Sequence, residues 1–175
     1  MTYNHSRYRV LFLIIYQRET AINKTDGITF QNVTRADFAD ILELEKKSFS
    51  VQDQLCMEDF EEFYSSFSDG FYKLLSDSLL IGYIIFFIEN GSGYIESIAI
   101  DRRYRKNGYG ICALRFIIRK FSDMKIHLVS LHVRTDNTAA MKLYEKEGFS
   151  KNGRVEHFYT DGSPAYIYTR ELYEE

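Results

Sequence analysis

The chain has 175 residues, 45% hydrophobic and 27% charged, so it is one domain's length with enough apolar surface for a core, and global disorder is excluded. Its net charge of −3 argues against a general nucleic-acid binder, which needs a basic excess. Fourteen Tyr and 14 Phe, with no Trp, favour strands and concave pockets.

The first apolar run, Val10 to Tyr16, is too short to span a bilayer. Arg7 and Arg9 precede it, but polar "QRETAINK" follows, with no small-residue cleavage site. Residues 1–27 are therefore expected to be an N-terminal extension, an extra strand or a docked segment, and residues 28–175 the folded domain. Ile28 to Val33 alternates like a strand. Thr34 can cap a helix carrying Phe38, Ile41, Leu42 and Phe49 at helical spacing. "SVQDQLC" is a loop or a broken helix, and a second helix is expected over Met57 to Phe67. Phe71 to Leu75 and Leu79 to Glu89 are strands joined by "SDS". "NGSG", Asn90 to Gly93, is a hairpin signal before a strand from Tyr94 to Ile100. A helix follows from about Gly108 to Phe121, with Leu114, Ile117, Ile118 and Phe121 inward. Then come a strand, Ile126 to Val133, and a helix, Thr138 to Glu147, stopped by Gly148. Two final strands flank "TDGSP", Thr160 to Pro164. Antiparallel hairpins with one strand–helix–strand crossover make a mixed α+β sheet.

Two cysteines, Cys56 and Cys112, form neither a metal spacing nor a disulfide framework, which points to a reducing, cytoplasmic setting. His5, His127, His132 and His157 are scattered, so no metal is expected.

The stretch "ESIAIDRRYRKNGYGICALRFIIRKF", Glu96 to Phe121, places basic side chains and two glycines just before a helix. A helix start offers unpaired N–H groups and a positive dipole end, so a phosphate is the physical default. "GYGICA" fits G-x-G-x-x-A formally, but the charged "DRRYRKN" separates strand from glycine, unlike a dinucleotide fold. The glycines could also serve helix–sheet packing alone.

Arg-x-x-Gly-x-Gly, over Arg105, Lys106, Asn107, Gly108, Tyr109 and Gly110, resembles the acyl-CoA pyrophosphate loop of the GNAT acetyltransferases. "SLHVRTDNTAAMKLYEKEGF", Ser130 to Phe149, is similar to the second half of that core. "FYTDGSPAY", Phe158 to Tyr166, resembles the closing hairpin of the RimI- and Ard-type protein N-terminal acetyltransferases. The resemblance spans roughly Ile28 to Leu172. It implies a GNAT fold: a mostly antiparallel, twisted sheet with splayed central strands and about four helices.

It also implies acetyl-CoA as co-substrate. The pyrophosphate would sit on the 105–110 loop, Asn137 would contact the pantetheine arm, and backbone around Ile98, Ala99 and Ile100 would meet the acyl carbonyl. Tyr144, in "LYEKEGF", matches a Tyr near the CoA sulfur and would protonate the leaving thiolate; alone, it also reads as core. Tyr94 and His132 match a Tyr–His pair that is thought to deprotonate the amine through water. RimI enzymes carry Glu at the second place. Glu96 matches a carboxylate of small-amine enzymes and is the competing base or amine anchor. Alternation sets Tyr94, Glu96 and Ile98 on one strand face, and His132 on a face with Ser130. Phe158 and Tyr159 stand where relatives tend to have two tyrosines lining the substrate groove. "FSVQDQLCMEDF", Phe49 to Phe60, departs from the Ard-type loop there.

The expected activity is N-acetyl transfer to a primary amine, by direct transfer within a ternary complex. The acceptor is the α-amine of a protein or peptide; the alternatives are a small polyamine-like amine, favoured by Glu96 and acidic Glu58 to Glu62, or a CoA-binding regulatory domain without turnover. Expected partners are a peptide N-terminus or small amine and an auxiliary subunit in some settings, with no nucleic acid or membrane, in a monomer or homodimer.

Overall fold

The computed structural model describes residues 23–25 and 27–172. Their strands form one eight-stranded sheet. In chain order the elements are β1 (Asn23–Thr25), β2 (Ile28–Asn32), α1 (Phe38–Ser48), α2 (Met57–Phe67), β3 (Phe71–Ser76), β4 (Leu79–Glu89) and β5 (Ser92–Ile100). Then follow α3 (Tyr109–Asp123), β6 (Leu128–Arg134), α4 (Thr138–Lys146), β7 (Ser150–Val155) and β8 (Ala165–Glu171). The strands lie in the order β1-β2-β3-β4-β5-β6-β8-β7. Every neighbouring pair is antiparallel except β5 and β6, which the α3 crossover makes parallel.

The expected GNAT fold and order of elements are present. β1 pairs with β2, so among the described residues the sheet begins at Asn23, within the N-terminal extension, for which an extra strand or a docked segment was expected. The Val10 to Tyr16 run lies outside the described residues. Thr34 caps a short 3-10 turn, Arg35–Asp37, rather than α1 itself, sharing its hydroxyl and amide with the Asp37 carboxylate. The last hairpin is wider than expected: β7 stops at Val155, so Phe158 and Tyr159 lie in the β7–β8 loop.

Two cores flank the sheet. Phe38, Ile41 and Leu44 of α1 and Phe60 and Phe63 of α2 pack on one face with Phe71, Tyr83, Ile85 and Ala99. Ala113, Leu114, Ile117 and Phe121 of α3 cover the other, with Ile84, Phe86, Ile95, Val129 and Leu131. α4 adds partly buried Met141, Leu143 and Tyr144 to that second face. Burial on both sides explains why β4 reads as the nearly continuous apolar run "LLIGYIIFFI".

Two irregularities in the middle of the sheet position the site. β5 pairs with β6 only at Gly93–Ile95 against Val129–Leu131, and then the strands part. The β4–β5 register slips between Ile85 and Phe86: Phe86 faces Ile95 and Ile85 faces Ser97, leaving Glu96 as an extra residue. This bulge corrects the expected alternation. Tyr94 packs on the α1–α2 side, whereas Ile98 packs on the α3 side.

Gly93 sits where β5 still pairs with β6. A Cβ there would lie 2.7–2.9 Å from three ring atoms of Phe121, which is fully buried and set edge-on to Phe86 at 5.1 Å. The ring has nowhere to go, so Gly93→Ala should destabilise by about 1–3 kcal/mol, the range for overpacking a core. Urea unfolding checks this; a midpoint equal to that of the parent would show that the ring relaxes freely.

Candidate active site

The parting of β5 from β6 opens a cleft with titratable groups on both walls. On β6, Val129, Leu131 and Val133 are buried in the core, so Ser130, His132 and Arg134 share the opposite face by period-two alternation. On β5, Tyr94 packs against the ring of Phe87 at 5.1 Å and reaches across. Its hydroxyl lies 2.7 Å from His132 Nδ1. Phe158 stacks on the imidazole, at 4.2 Å and 13°. Desolvation disfavours the imidazolium, so the His132 pKa lies below its ordinary value.

The bulge brings Glu96 and Ser97 to the same side of the sheet as Tyr94. The Ser97 hydroxyl is 3.2 Å from that of Tyr83, in the α1–α2 core. Glu96 acts on the Tyr159 phenol, whose pKa is raised first by burial; Arg134 works against that rise, and Asp53, Tyr144 and Glu96 add to it. Tyr159, Tyr144 and Glu96 are thus electrostatic neighbours around one cleft. Tyr144 reaches it from α4, with Phe149 and Tyr168 at ring distances of 5.9 and 6.2 Å. Burial pushes its pKa up to about 12, so the phenol holds its proton at neutral pH.

Arg134 is a cleft residue that the sequence analysis did not assign. Its guanidinium pairs with Asp53 of the α1–α2 loop, binds Asp161 of the β7–β8 loop at 3.1 Å, and lies 4.1 Å above the Tyr159 ring. Thr160 donates to the Gln52 carbonyl at 2.9 Å. The two loops expected to line the substrate groove are therefore tied together. Extending the His132 alternation by two residues along "LHVR" would have identified Arg134 as facing the groove.

The other end of the cleft presents the start of α3, whose first amides could take an anion. α3 starts with Gly108 at φ +85°, a conformation that side chains resist, and no side chain caps it. Its first helical bond runs from the Cys112 N–H to the Gly108 carbonyl at 3.0 Å. The N–H groups of Tyr109, Gly110 and Ile111 therefore have no carbonyl acceptor in the helix and face the dipole's positive end. Lys106 is exposed beside them, and Asn107 donates to the Tyr104 carbonyl at 3.3 Å. Arg105 uses part of its fork internally. Nε donates to the Ile100 carbonyl at 2.8 Å and one terminal nitrogen to the Ser48 carbonyl at 3.2 Å. It fastens the loop to the end of β5 and to α1, with N–H groups to spare.

Between the two ends lie Ile98, Ala99 and Ile100, which beyond the bulge pair only with β4. Ala99 is buried toward α1, while Ile98 and Ile100 pack toward α3. Across the cleft, Asn137 caps α4 by accepting from the Ala140 N–H at 3.1 Å, which leaves its amide donors available. Of the residues expected at the site, Tyr94 and Phe158 both contact His132, while the loop from Arg105 to Gly110 stands apart, at the start of α3. Among the described residues, no helix is long and apolar enough to cross a membrane.

The chain matches the model of the "Acetyltransferase (GNAT) family" over residues 38–149, more than half of its length. It is 26% identical over 163 residues to the N-alpha-acetyltransferase of Saccharolobus solfataricus, covering 86% of this chain and 96% of that protein. It is 29% identical over 153 residues to the N-alpha-acetyltransferase RimI of Mycobacterium tuberculosis, covering 84% and 94%. Its fold is similar to Ard1 from Thermoplasma volcanium, with a TM-score of 0.78 at 21% identity, over 85% of this chain and 99% of that one. The cleft between two parted strands, closed at one end by an uncapped glycine-led helix, therefore belongs to a member of the GNAT acetyltransferase family, an enzyme whose acyl donor is acetyl-CoA.

Proposed function

We propose that this enzyme acetylates the N-terminal α-amine of a protein or peptide, with the Tyr94–His132 pair removing the amine's proton. The observation that carries the reading is the 2.7 Å contact between the Tyr94 hydroxyl and His132 Nδ1, under the Phe158 ring, where β5 and β6 part. Two relatives named for N-alpha-acetyl transfer, matched over most of both chains, support the acceptor class.

An ammonium has no lone pair, so proton removal comes first. In the neutral tautomer that accepts at Nδ1, the imidazole takes a proton from Tyr94 while the phenol takes one from the amine, directly or through water. The amine nitrogen then attacks the thioester carbonyl carbon. The carbonyl oxygen becomes an oxyanion, for which backbone N–H groups between Ile98 and Ile100 are the candidate donors. As the tetrahedral intermediate collapses, the C–S bond breaks and the nitrogen passes its remaining extra proton to water, from which Tyr144 regains the proton that it gives up. Tyr144, protonated at neutral pH, delivers a proton to the departing thiolate. The products are the amide and CoA. No acyl-enzyme is needed, and Cys112 on α3 packs against the core.

The second reading is transfer to a small, compact amine with Glu96 as base or anchor. The bulge favours it by turning Glu96 toward the same side as Tyr94. Acetylation of a panel of peptides with different N-termini, alongside polyamines, decides between the two; polyamine turnover without peptide turnover would overturn the first.

Protonation below the His132 pKa removes the base, so rate should rise with pH through an ionisation. Because burial lowers that pKa, the midpoint in kcat should fall below about 6.5, well apart from the value near 8 of a free α-amine. His132→Ala should abolish this limb and slow turnover by about a hundred- to ten-thousandfold. Glu96→Gln should mainly change acceptor affinity. The opposite pattern, a crippled Glu96→Gln and a tolerated His132→Ala, assigns the base to Glu96.

Tyr144→Phe should lower kcat on the order of a hundredfold while the KM for acetyl-CoA changes little, because the hydroxyl acts on the leaving sulfur. Steady-state kinetics with an unchanged kcat would assign Tyr144 to packing.

Arg105→Ala should weaken acetyl-CoA binding by about 1–3 kcal/mol, through a lost charge-assisted contact and a loosened loop. Calorimetry reads the loss, and unaltered binding would make Arg105 a structural tether only.

A further inference from the structure

Glu45 is a buried carboxylate that the steps of acetyl transfer leave unused. It lies on α1 with 1% exposure and, among the described residues, forms no ion pair. Its Oε1 accepts from the Leu55 N–H at 2.9 Å and its Oε2 from the Tyr83 hydroxyl at 2.5 Å. Tyr83 is fully buried and has one hydroxyl proton, which goes to Glu45. At 3.2 Å, the Ser97 hydroxyl must therefore be the donor to Tyr83. The result is a directed chain, Ser97 to Tyr83 to Glu45, with Leu55 as the second donor to the carboxylate.

The ends of this chain are not in the core. Ser97 adjoins Glu96 in the bulge, where β5 leaves β6. Leu55 lies two residues beyond Asp53, which pairs with Arg134 on the opposite wall of the groove. A buried carboxylate without a cation is costly, and an apolar side chain on α1 would fill the same space more cheaply. What an apolar residue would not supply is a fixed distance between the bulge and the α1–α2 loop.

From this geometry we infer that Glu45 and Tyr83 are positioning residues for acetyl transfer. Through Ser97 they hold the bulge that aims the β5 backbone at the thioester, and through Leu55 they hold the facing wall of the acceptor groove. The inference rests on the reaction proposed for this cleft, whichever amine is the acceptor.

The test measures kcat, the acetyl-CoA Kd and thermal unfolding for Ser97→Ala, Tyr83→Phe, Glu45→Gln and Glu45→Ala, using the best acceptor of the wild-type enzyme. Tyr83→Phe and Glu45→Ala should slow kcat roughly ten- to hundredfold, the scale of a small misplacement of reacting groups, with the Kd within about twofold. Glu45→Gln should recover most of the rate. Its Oε1 can accept from Leu55 and its Nε2 can donate to Tyr83, whose hydroxyl then donates to Ser97, so the chain survives with reversed polarity. Ser97→Ala, at a half-buried site that tolerates the change, should slow kcat by about three- to tenfold. Combining it with Tyr83→Phe should add nothing, because both cut the same chain. The inference is overturned if the variants lose thermal stability but keep kcat, if Glu45→Gln is as slow as Glu45→Ala, or if the double variant slows multiplicatively. Ser97→Ala decides alone should the buried variants not fold. A wild-type enzyme that turns over only a small amine would overturn the peptide reading separately, and the same ratios are then read with that amine.

Discussion

The separation of β5 from β6 after three residue pairs is the constraint on which the cleft depends. Two parallel strands that stayed paired would satisfy each other's backbone groups and leave no edge for a ligand. Here pairing holds at Gly93–Ile95, where Phe121 closes over Gly93, and then ends. The bulge at Glu96 coincides with the parting. It keeps β5 bonded to β4 on one side while turning side chains on the other. One extra residue thereby does two things: it exposes a strand edge toward the cleft, and it brings Glu96 and Ser97 to the side already occupied by Tyr94 and His132.

The two ends of the cleft then take opposite electrostatic roles. At one end, a helix begins on a glycine with its first amides unclaimed, near Lys106 and Arg105. Backbone N–H groups and a dipole suit a diphosphate because they cost no reorganisation when it arrives. At the other end stand Glu96, Asp53 and Asp161, with Arg134 between the last two. Acetyl-CoA carries its negative charge at one extremity and a neutral thioester at the other. The chain's charges follow that division, and its modest overall charge conceals it.

Much of this was legible in the sequence because local signals and tertiary requirements agree. Met57–Phe67 forms the expected helix from its own period, and Asn90–Gly91 makes the expected turn because β4 and β5 need a tight reversal. The start of α3 was legible for the same reason: glycines before an amphipathic helix have a local meaning. What misled was the assumption of unbroken alternation. Nothing in "YIESIAI" marks the bulge, since it is defined by the register of β5 against β4 and not by a local signal. The roles of Glu45, Tyr83 and Arg134 were also hidden, because each is defined by partners tens of residues away. A Glu at an inward helical position looks like an interruption of the stripe until Leu55 and Tyr83 are placed beside it.

The state of His132 shows how the fold's constraints reach the chemistry. An imidazolium carries a proton on both ring nitrogens and can accept no other, so the charge state of His132 decides what the ring can do. Here Phe158 stacks on the ring, and desolvation disfavours its charged form. The Phe158 cover depends in turn on the β7–β8 loop, which Arg134 and Thr160 fasten to the α1–α2 loop. The cover over His132 and the tie between the two loops thus depend on one segment, the β7–β8 loop, which carries Phe158, Thr160 and Asp161.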